Sequence, residues 1–317
     1  MRALAAGMAT SAPAATAVAD AAAGACPACL QGRSDEAEAT PRLHVRRCRA
    51  CGHRVADFPG PRPPEEDFLL QGADDRYTGS LRVTRRRQAR YLLEALRQEA
   101  GPVQGLLDYG CGRGWFLEAA RAEGIAPLAG ADTSGTSMEA LAGMGIAGVR
   151  IEDPLRPSLA VQKLPFRPRV VALLDVVEHI APDRLAGWLA ELLDALRPDL
   201  RFALIKVPIS SGVMYRLAAA LARAGVVAPL EQLYQVGRMP PHVNYFSVRS
   251  MEALLERLRL PVARVIRDPE FEAGGLKERA SFLQRLPPTL AAAAGSAALG
   301  LSRVLRMADT ASFLCRT

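Results

Sequence analysis

Lysine is scarce in this sequence, and its scarcity changes what the net charge means. Only Lys163, Lys206 and Lys277 occur among 317 residues, so the formal net charge of +7 is carried by arginine. The abundance of Ala, Arg, Pro and Gly is typical of a genome rich in G and C, which favours arginine codons. A positive net charge of this origin is weak evidence for a nucleic-acid ligand.

Two kinds of hydrophobic segment are also missing. Residues 1–24 are rich in Ala, Ser and Thr but lack the leucine-rich core of a secretory signal. We expect a disordered tail there, and the scarcity of acidic residues leaves a transit peptide open. The sequence has no run of about 18 apolar residues, which is the length that a membrane-spanning helix needs. Residues 290–305 come nearest, but Ser302 and Arg303 interrupt them, which favours a packed helix over a membrane anchor. We therefore expect a cytoplasmic protein.

Four of the six cysteines form two C-x2-C pairs that 18 residues separate: Cys26 with Cys29, and Cys48 with Cys51. Two residues between paired cysteines allow a tight turn that directs both sulfurs at one ion, and this spacing is typical of a zinc ribbon. Disulfides or a redox pair are the alternative, but no secretion signal supports them. We predict a structural Zn²⁺ site, with His44 and His53 as surface residues.

The composition divides the chain into four parts. The proline-rich stretch "PGPRPPEED" predicts a linker. The expected order is the tail, a zinc ribbon, a linker with a lid helix, and a large domain with two cap insertions: 1–24, 25–58, 59–100 and 101–317, with the caps at 212–241 and 272–307. Tyr77 is either part of the lid over a ligand or a surface tyrosine.

The lid helix, predicted over 84–98, carries a cluster of basic side chains near its start. We call this set the arginine cluster: Arg82, Arg85, Arg86, Arg87 and Arg90. Such a run is usually a solvated helix face. Contact with RNA or another anionic ligand is the alternative.

Strands and helices alternate from residue 103 onward. Apolar runs predict seven strands, at 103–109, 127–132, 147–152, 169–177, 201–209, 261–268 and 310–317. Segments with helical periodicity predict helices at 113–123, 135–143, 182–196 and 248–258. This alternation indicates an α/β fold, in which helices cover both faces of a mostly parallel, seven-stranded Rossmann-like sheet.

The stretch "LLDYGCGRGWFLEAA" joins the first of these strands to its helix. Gly110, Gly112 and Gly114 let the backbone approach a ligand closely, and the helix that follows offers free N–H groups. The pattern is GxGxG rather than the GxGxxG of dinucleotide sites. Asp108 would repel a diphosphate but would attract a cationic group.

A second acid lies at the end of the next predicted strand. Asp132 is placed where a carboxylate can accept hydrogen bonds from both hydroxyls of a ribose. Together with Asp108, it predicts a nucleoside ligand with a cationic end and no phosphate. S-adenosylmethionine is such a molecule.

Residues from about 75 to 317 resemble the class I S-adenosylmethionine-dependent methyltransferases. They particularly resemble the branch that includes the ubiquinone-biosynthesis O-methyltransferases. Three blocks carry the resemblance in matching order and spacing: the glycine stretch quoted above, "ALLDVVEHI" (172–180) and "MPPHVNYFSVRSMEALLERL" (239–258). A zinc ribbon ahead of such a domain resembles bacterial methyltransferases of sugar and secondary-metabolite pathways.

The resemblance implies a set of cofactor contacts. Asp108, Gly110 and Gly112 would hold the methionine end, with Cys111 as a small filler in the same turn. Asp132, with Thr133 beside it, would bind the ribose hydroxyls. Asp153 would lie near the adenine amino group, and Asp175 would line the methyl-transfer pocket.

An oxygen or carbon nucleophile needs a base as well as alignment with the methyl group. His179 and His242 are the candidate catalytic bases, because His179 lies just past the fourth predicted strand of the large domain and His242 lies in the loop before the 248–258 helix, above the same end of the sheet. Glu178-His179 belongs to the branch whatever the substrate, so a role in ordering the loop is the alternative.

Two classes of acceptor remain open. The second and third blocks favour a small molecule, sugar or secondary metabolite that is methylated on oxygen or carbon. Ribosomal RNA base methyltransferases also join a four-ligand zinc ribbon to this fold, and the arginine cluster favours that alternative. An apolar stripe in the first cap is either core or the wall of an apolar substrate pocket: Met214, Leu217, Leu221, Leu230 and Leu233.

Overall fold

The computed structural model describes residues 24–60, 75–268, 300 and 308–317. Its strands, in chain order, are β1 (Ser34–Thr40), β2 (Leu43–Cys48), β3 (Arg54–Asp57), β4 (Leu106–Tyr109), β5 (Leu128–Asp132), β6 (Ala147–Arg150), β7 (Val170–Leu174), β8 (Phe202–Pro208), β9 (Asn244–Tyr245), β10 (Val262–Asp268) and β11 (Thr310–Arg316). Its helices are α1 (Asp75–Ala100), α2 (Trp115–Ala122), α3 (Gly135–Gly143), α4 (Pro157–Gln162), α5 (Leu185–Leu196), α6 (Val213–Arg223), α7 (Ala228–Leu233) and α8 (Val248–Arg257).

The predicted seven-stranded sheet is confirmed. Its strand order is β10-β11-β8-β7-β4-β5-β6. The five central and distal strands from β8 to β6 run parallel, whereas β11 is antiparallel to both β8 and β10. The carboxyl ends of β4, β5 and β7 therefore lie at one edge, where ligands bind in open α/β sheets.

Helices cover both faces of this sheet. On one face, α5 and α8 bury apolar side chains such as Trp188 and Leu254 against the strands. On the other face, α1 and α2 bury Leu96 and Phe116. Because the central strands β4, β7 and β8 are covered on both sides, their sequences are largely apolar rather than alternating.

The chain leaves β7 earlier than the periodicity predicts. The run "RVVALLDVV" predicts a strand to residue 177, but β7 ends at Leu174 and Asp175 has a φ of 60°. A left-handed residue turns the chain out of the ladder. Val177–His179 then form a short 3₁₀ turn at the edge of the sheet.

The N-terminal ribbon is joined to the larger domain by backbone pairing. Its strands form a second sheet with the order β1-β2-β3-β9, in which β3 is antiparallel to β9. His242 lies two residues before β9. The ribbon therefore forms one sheet with the segment that carries His242.

The first cap packs on the ribbon with only part of the predicted stripe: Leu230 is fully buried in this contact and Leu233 partly so. Tyr215 and Ala218 of α6 are buried with Leu43 and Val45 of β2. Leu217, which we expected within the stripe, is 42% exposed. Helix α6 therefore turns a different side toward the core than its sequence pattern predicts. The reason is that the ribbon supplies an apolar surface, which the local pattern of α6 does not reveal.

Several expectations fall outside the described residues. These are the tail before Gly24, most of the proline-rich linker, the Tyr77 side chain, the second cap insertion and nearly all of 290–305. Among the residues that the structure does describe, no helix is both long and apolar enough to cross a membrane.

Candidate active site

The three glycines of the β4–α2 turn all adopt left-handed backbone conformations, with φ of 80°, 51° and 72° for Gly110, Gly112 and Gly114. A Cβ on Gly110 would lie 2.4 Å from Cγ2 of Val176, and one on Gly114 would lie 2.6 Å from Cε of Met144. A Cβ on Gly112 would meet no atom within 4 Å. Two of the glycines therefore serve packing, while Gly112 faces open space that a ligand can enter.

Asp108 ends β4 behind this turn as a buried acid. Asp108 is only 2% exposed, and no group among the described residues hydrogen-bonds to its Oδ1. Burial, and then the charges of Asp132 and Asp175, raise the pKa of Asp108 to about 8. A cationic group near Oδ1 would satisfy this oxygen and favour the ionised carboxylate.

Asp132, at the end of β5, is held in place by the backbone. Its Oδ2 accepts a hydrogen bond from the Gly112 N–H at 2.7 Å, and its Oδ1 accepts one from the Ser134 N–H at 2.9 Å. Each carboxylate oxygen keeps further acceptor capacity. Thr133 beside it is exposed, and Cys111 is buried as the predicted filler.

Asp153 lies after β6 in a turn of its own. Its Oδ1 accepts a hydrogen bond from the Leu155 N–H at 3.0 Å. It has no hydrogen bond to the predicted cofactor residues within the described part of the chain. The assignment of Asp153 to an adenine amino group stays a prediction.

Asp175 is engaged by two cations. Nζ of Lys206 donates to both of its carboxylate oxygens, at 2.7 and 2.9 Å, and Nη2 of Arg85 lies 2.8 Å from Oδ2. Burial by itself raises the pKa of Asp175, but the charges of Arg85 and Lys206 outweigh it and hold the pKa below its usual value. Asp175 is therefore a fixed anion between β7, β8 and α1.

The two candidate bases are close to each other. The ring centroids of His179 and His242 lie 4.8 Å apart. Nδ1 of His179 is 2.8 Å from the Pro241 carbonyl oxygen, and Nε2 of His242 is 2.9 Å from Nε2 of Gln235. Because a carbonyl only accepts, Nδ1 of His179 carries the proton and leaves Nε2 as the basic nitrogen.

Glu178 is the third member of this cluster. It is fully buried, and within the part of the chain that the structure describes neither of its carboxylate oxygens has a hydrogen-bond partner. Burial, and then the charge of Asp175, raise the pKa of Glu178 well above its usual value. Burial also lowers the pKa of His179, so its ring is neutral near pH 7.

Two groups of side chains in the described residues have the composition and spacing of metal ligands. In one group, a carboxylate oxygen of Glu178 and ring nitrogens of His179 and His242 lie within 4.8 Å of one another. One carboxylate and two imidazoles suit divalent transition metals. The other group consists of the four paired cysteines.

No disulfide joins the four paired cysteines in the described residues, which favours a metal site over the disulfide alternative. Sγ of Cys26 lies 3.5 Å from Sγ of Cys51, and the Cys29 and Cys48 sulfurs are 3.8 Å apart. Sulfurs on a tetrahedral zinc, each about 2.3 Å from the ion, are roughly 3.8 Å apart. Gly52 has a φ of 78°, as a knuckle turn requires. This geometry fits a four-thiolate Zn²⁺ ion.

The prediction that His53 is a surface residue is wrong. His53 is 1% exposed, and its ring lies 4.8 Å from the Phe246 ring. Its Nε2 is 3.2 Å from Oδ1 of Asn244, and Nδ2 of Asn244 donates to the Ile180 carbonyl at 2.6 Å. His53 is buried because the pairing of β3 with β9 brings it against Asn244 and Phe246 of the larger domain. His44 is exposed, as predicted.

The arginine cluster is largely engaged within the chain. Arg82 and Arg86 both donate to Glu118 of α2, and Arg85 pairs with Asp175. These ion pairs leave less charge for RNA than the sequence implies.

Lys206, Asn244 and Gln235 are the site residues that sequence reasoning missed. For Lys206 a signal existed, since one of only three lysines stands in the middle of the buried strand "RFALIKVPI". No comparable signal marks Asn244, because its partners His53 and Ile180 are distant in the sequence, or Gln235, whose partner His242 lies seven residues further along the chain.

Comparisons with known proteins agree with this geometry. The model of a family described as methyltransferase domain matches residues 82–262. No curated protein matches the chain. A structure of the Haloferax volcanii Trm112 methyltransferase activator in complex with a methyltransferase contains a similar chain, at 15% identity and a TM-score of 0.51. The match covers 80% of this chain and 98% of that one.

Two further structures are similar with lower TM-scores. A SAM-dependent methyltransferase from Archaeoglobus fulgidus has 20% identity and a TM-score of 0.48, and the match covers 74% of this chain and 94% of that chain. Magnesium protoporphyrin IX methyltransferase from Synechocystis, with bound SAH, has 14% identity and a TM-score of 0.46 over 78% and 89% of the two chains.

Proposed function

This chain belongs to the methyltransferase domain family, and from that premise we propose that it transfers a methyl group from S-adenosylmethionine to a small-molecule, sugar or secondary-metabolite acceptor. Oxygen or carbon is the proposed acceptor atom. The observation that carries the proposal is the buried Asp108, whose Oδ1 is unpartnered beside an open glycine turn.

The residues of the turn fit this cofactor on chemical grounds. The α-ammonium group of S-adenosylmethionine would supply the cation that Asp108 lacks, and the open space at Gly112 would admit the methionine backbone. When bound, the cofactor supplies a methyl group on a cationic sulfur. A dinucleotide would instead place phosphates against three carboxylates, those of Asp108, Asp132 and Asp175.

The remaining cofactor contacts follow the carboxyl edge of the sheet. We assign the ribose hydroxyls to Asp132, whose oxygens are already oriented by the Gly112 and Ser134 amides. Thr133 and Asp153 are proposed as neighbours of the ribose and adenine. Oriented acceptors lower the entropy cost of holding the nucleoside.

On the acceptor side, we propose that His179 or His242 takes the proton of the nucleophile. The Pro241 carbonyl fixes the tautomer of His179, so that Nε2 is the nitrogen that accepts the proton. The lowered pKa of His179 keeps the ring neutral and able to do so near pH 7. Asp175, fixed by Lys206, shapes the neighbouring pocket.

The same cluster favours a second role, in which Glu178, His179 and His242 hold a divalent cation that orients the acceptor. The two roles are separable by experiment. If a histidine acts as the base without a metal, dialysis against a chelator that leaves zinc in the ribbon should not change turnover. It should abolish turnover, with recovery on adding Mg²⁺ or Mn²⁺, if the cluster binds a cation.

The zinc ribbon is proposed to be structural. Its strands enclose a small apolar cluster, and a bound Zn²⁺ replaces the core that so short a segment lacks. The domain boundaries expected from the sequence are kept as proposals, except that the ribbon shares its sheet with β9.

The test is transfer of labelled methyl groups from S-adenosylmethionine into an extract of the source cells. RNA would be separated from small molecules and glycans, with and without nuclease. Label in the small-molecule fraction supports the proposal, whereas nuclease-sensitive label in ribosomal RNA would replace it with the RNA alternative. D108N should transfer no label, and D57N, which changes an exposed ribbon carboxylate, is the matched control.

A further inference from the structure

A cavity of about 490 Å³ lies between the ribbon and the larger domain. Its lining is unusually basic, with six arginines against a single carboxylate, that of Glu38. We call it the arginine cavity after these residues: Arg47, Arg49, Arg54, Arg216, Arg223 and Arg249. Three of them come from the ribbon and three from α6 and α8, so neither part alone makes the site.

Internal ion pairs account for only part of this charge. Glu38 lies 3.5 Å from Nε of Arg54 and 3.8 Å from an Nη of Arg223. Arg49 pairs with Asp35 outside the cavity. The structure gives no ion pair to the other three lining arginines within its described residues. The cavity therefore has an excess of positive charge that an anion would neutralise.

Serine side chains also line the cavity, and Oγ of Ser247 is engaged there, since it donates to the Cys51 carbonyl and accepts from the Ser250 N–H. Ser210, Ser211 and Ser247 line it together with the arginines. Nη1 of Arg54 donates to Oγ of Ser210 at 2.6 Å, which fixes a largely buried guanidinium at the base.

We propose that the arginine cavity binds the phosphate groups of the acceptor, so that the protein methylates a small molecule carried as a phosphate or diphosphate ester. Guanidinium groups match phosphate oxygens in bidentate geometry. The volume lies within the range of about 300–1,000 Å³ that is usual for small-molecule sites, which is more than one phosphate requires.

The position of the cavity relates it to the reacting centre. Ser210 lies four residues beyond Lys206 along β8 and its extension, and Lys206 holds Asp175. Four residues of extended chain span roughly 13 Å. The Tyr215 ring of the lining lies 4.7 Å from the Tyr245 ring, which in turn lies 6.3 Å from the His242 ring, so the cavity and the histidine cluster are neighbours across one layer of aromatic side chains. This inference rests on the proposed function, because it names the class of substrate for the same reaction.

The composition of the lining favours a small phosphorylated molecule over RNA. RNA-binding surfaces are extended and add aromatic side chains on which bases stack. Tyr215, the one aromatic residue of the lining, is 2% exposed and hydrogen-bonds Glu38 and Tyr234.

The test is calorimetric titration of the full-length, zinc-loaded protein with inorganic diphosphate at constant ionic strength. R47Q/R216Q removes two cavity arginines that form no ion pair within the described residues. R46Q/R90Q is the control with the same charge change, because Arg46 neighbours Arg47 on the opposite side of β2 and Arg90 lies on α1.

We expect one diphosphate to bind per chain, and the cavity variant to weaken binding by at least about tenfold, since two charge-assisted contacts are lost. The control should stay within about twofold of the native protein. Equal weakening by both variants, absence of saturable binding, or tight binding of single-stranded RNA without diphosphate binding would overturn the proposal.

Binding of S-adenosylhomocysteine to the same samples separates this proposal from the proposed function. We expect all three proteins to bind it equally. If none binds it while diphosphate binds in the cavity as expected, the proposed function fails and the anion site stands.

Discussion

Replacement of Asp108 by Asn tests the electrostatics of the proposed cofactor site. The carboxyl group has a pKa of about 8 in the protein without a ligand, because it is buried beside two other acids. A bound α-ammonium group should lower that pKa, so that binding expels the proton. D108N keeps the shape of the side chain but has no proton to lose.

The expected magnitude follows from the pKa. At pH 7 a group with a pKa of 8 is about 0.9 protonated, so binding of S-adenosylhomocysteine should release close to 0.9 proton. Loss of a buried charge partner should cost about 2–5 kcal/mol of binding, which weakens affinity by roughly 30-fold or more. Calorimetry in buffers of different ionisation enthalpy measures both quantities.

The same pKa has a consequence for stability without ligand. The folded state retains the proton up to pH 8, whereas the unfolded chain loses it near pH 4, so stability falls as pH rises between these values. The loss at pH 7 is on the order of 4 kcal/mol. D108N should therefore melt higher than the native protein at pH 7 but not at pH 4.

D57N provides the matched control, since it removes an exposed carboxylate of the ribbon. It should change neither the proton release nor the cofactor affinity. Equal proton release by D108N and the native protein would refute the assignment of the cation to Asp108.

The remaining predictions concern the turn, the base and the ribbon. G110A should lower the free energy of unfolding by about 1–3 kcal/mol, since its Cβ meets Val176 in a left-handed conformation. G112A should lower the free energy of unfolding by about 1 kcal/mol and should weaken cofactor binding, because its Cβ enters the space proposed for the ligand. Denaturation measures the first effect and calorimetry the second. H179Q should lower kcat by about 10²–10⁴ with an unchanged cofactor Kd, and a fall in affinity instead would contradict a base. C48S should lose the zinc, measured by elemental analysis, and should lower Tm and raise the acceptor KM, because the ribbon supports the His242 loop.

Much of the fold could be predicted because local patterns specify it. Strands sealed on both faces give continuous apolar runs, and all seven predicted strands of the large sheet overlap observed ones. The glycine turn could also be predicted, because a left-handed backbone at three alternate positions favours glycine at each of them. The acids at the ends of β4 and β5 lie at the expected edge for the same reason.

What could not be predicted depends on contacts between distant segments. The pairing of β3 with β9 involves only two residues of β9, too few for a periodic signal. From it follow the burial of His53 and the rotation of α6 toward the ribbon. The role of Arg85 was likewise hidden, because a lone sequence shows a basic helix face but not the Asp175 that neutralises it.

The most direct test of the central claim is a crystal structure of the full-length protein with S-adenosylhomocysteine. The account predicts the amino group within hydrogen-bond distance of Asp108, the ribose hydroxyls on Asp132, and the sulfur facing His179 and His242. A ligand bound elsewhere, or one whose amino group avoids Asp108, would contradict it.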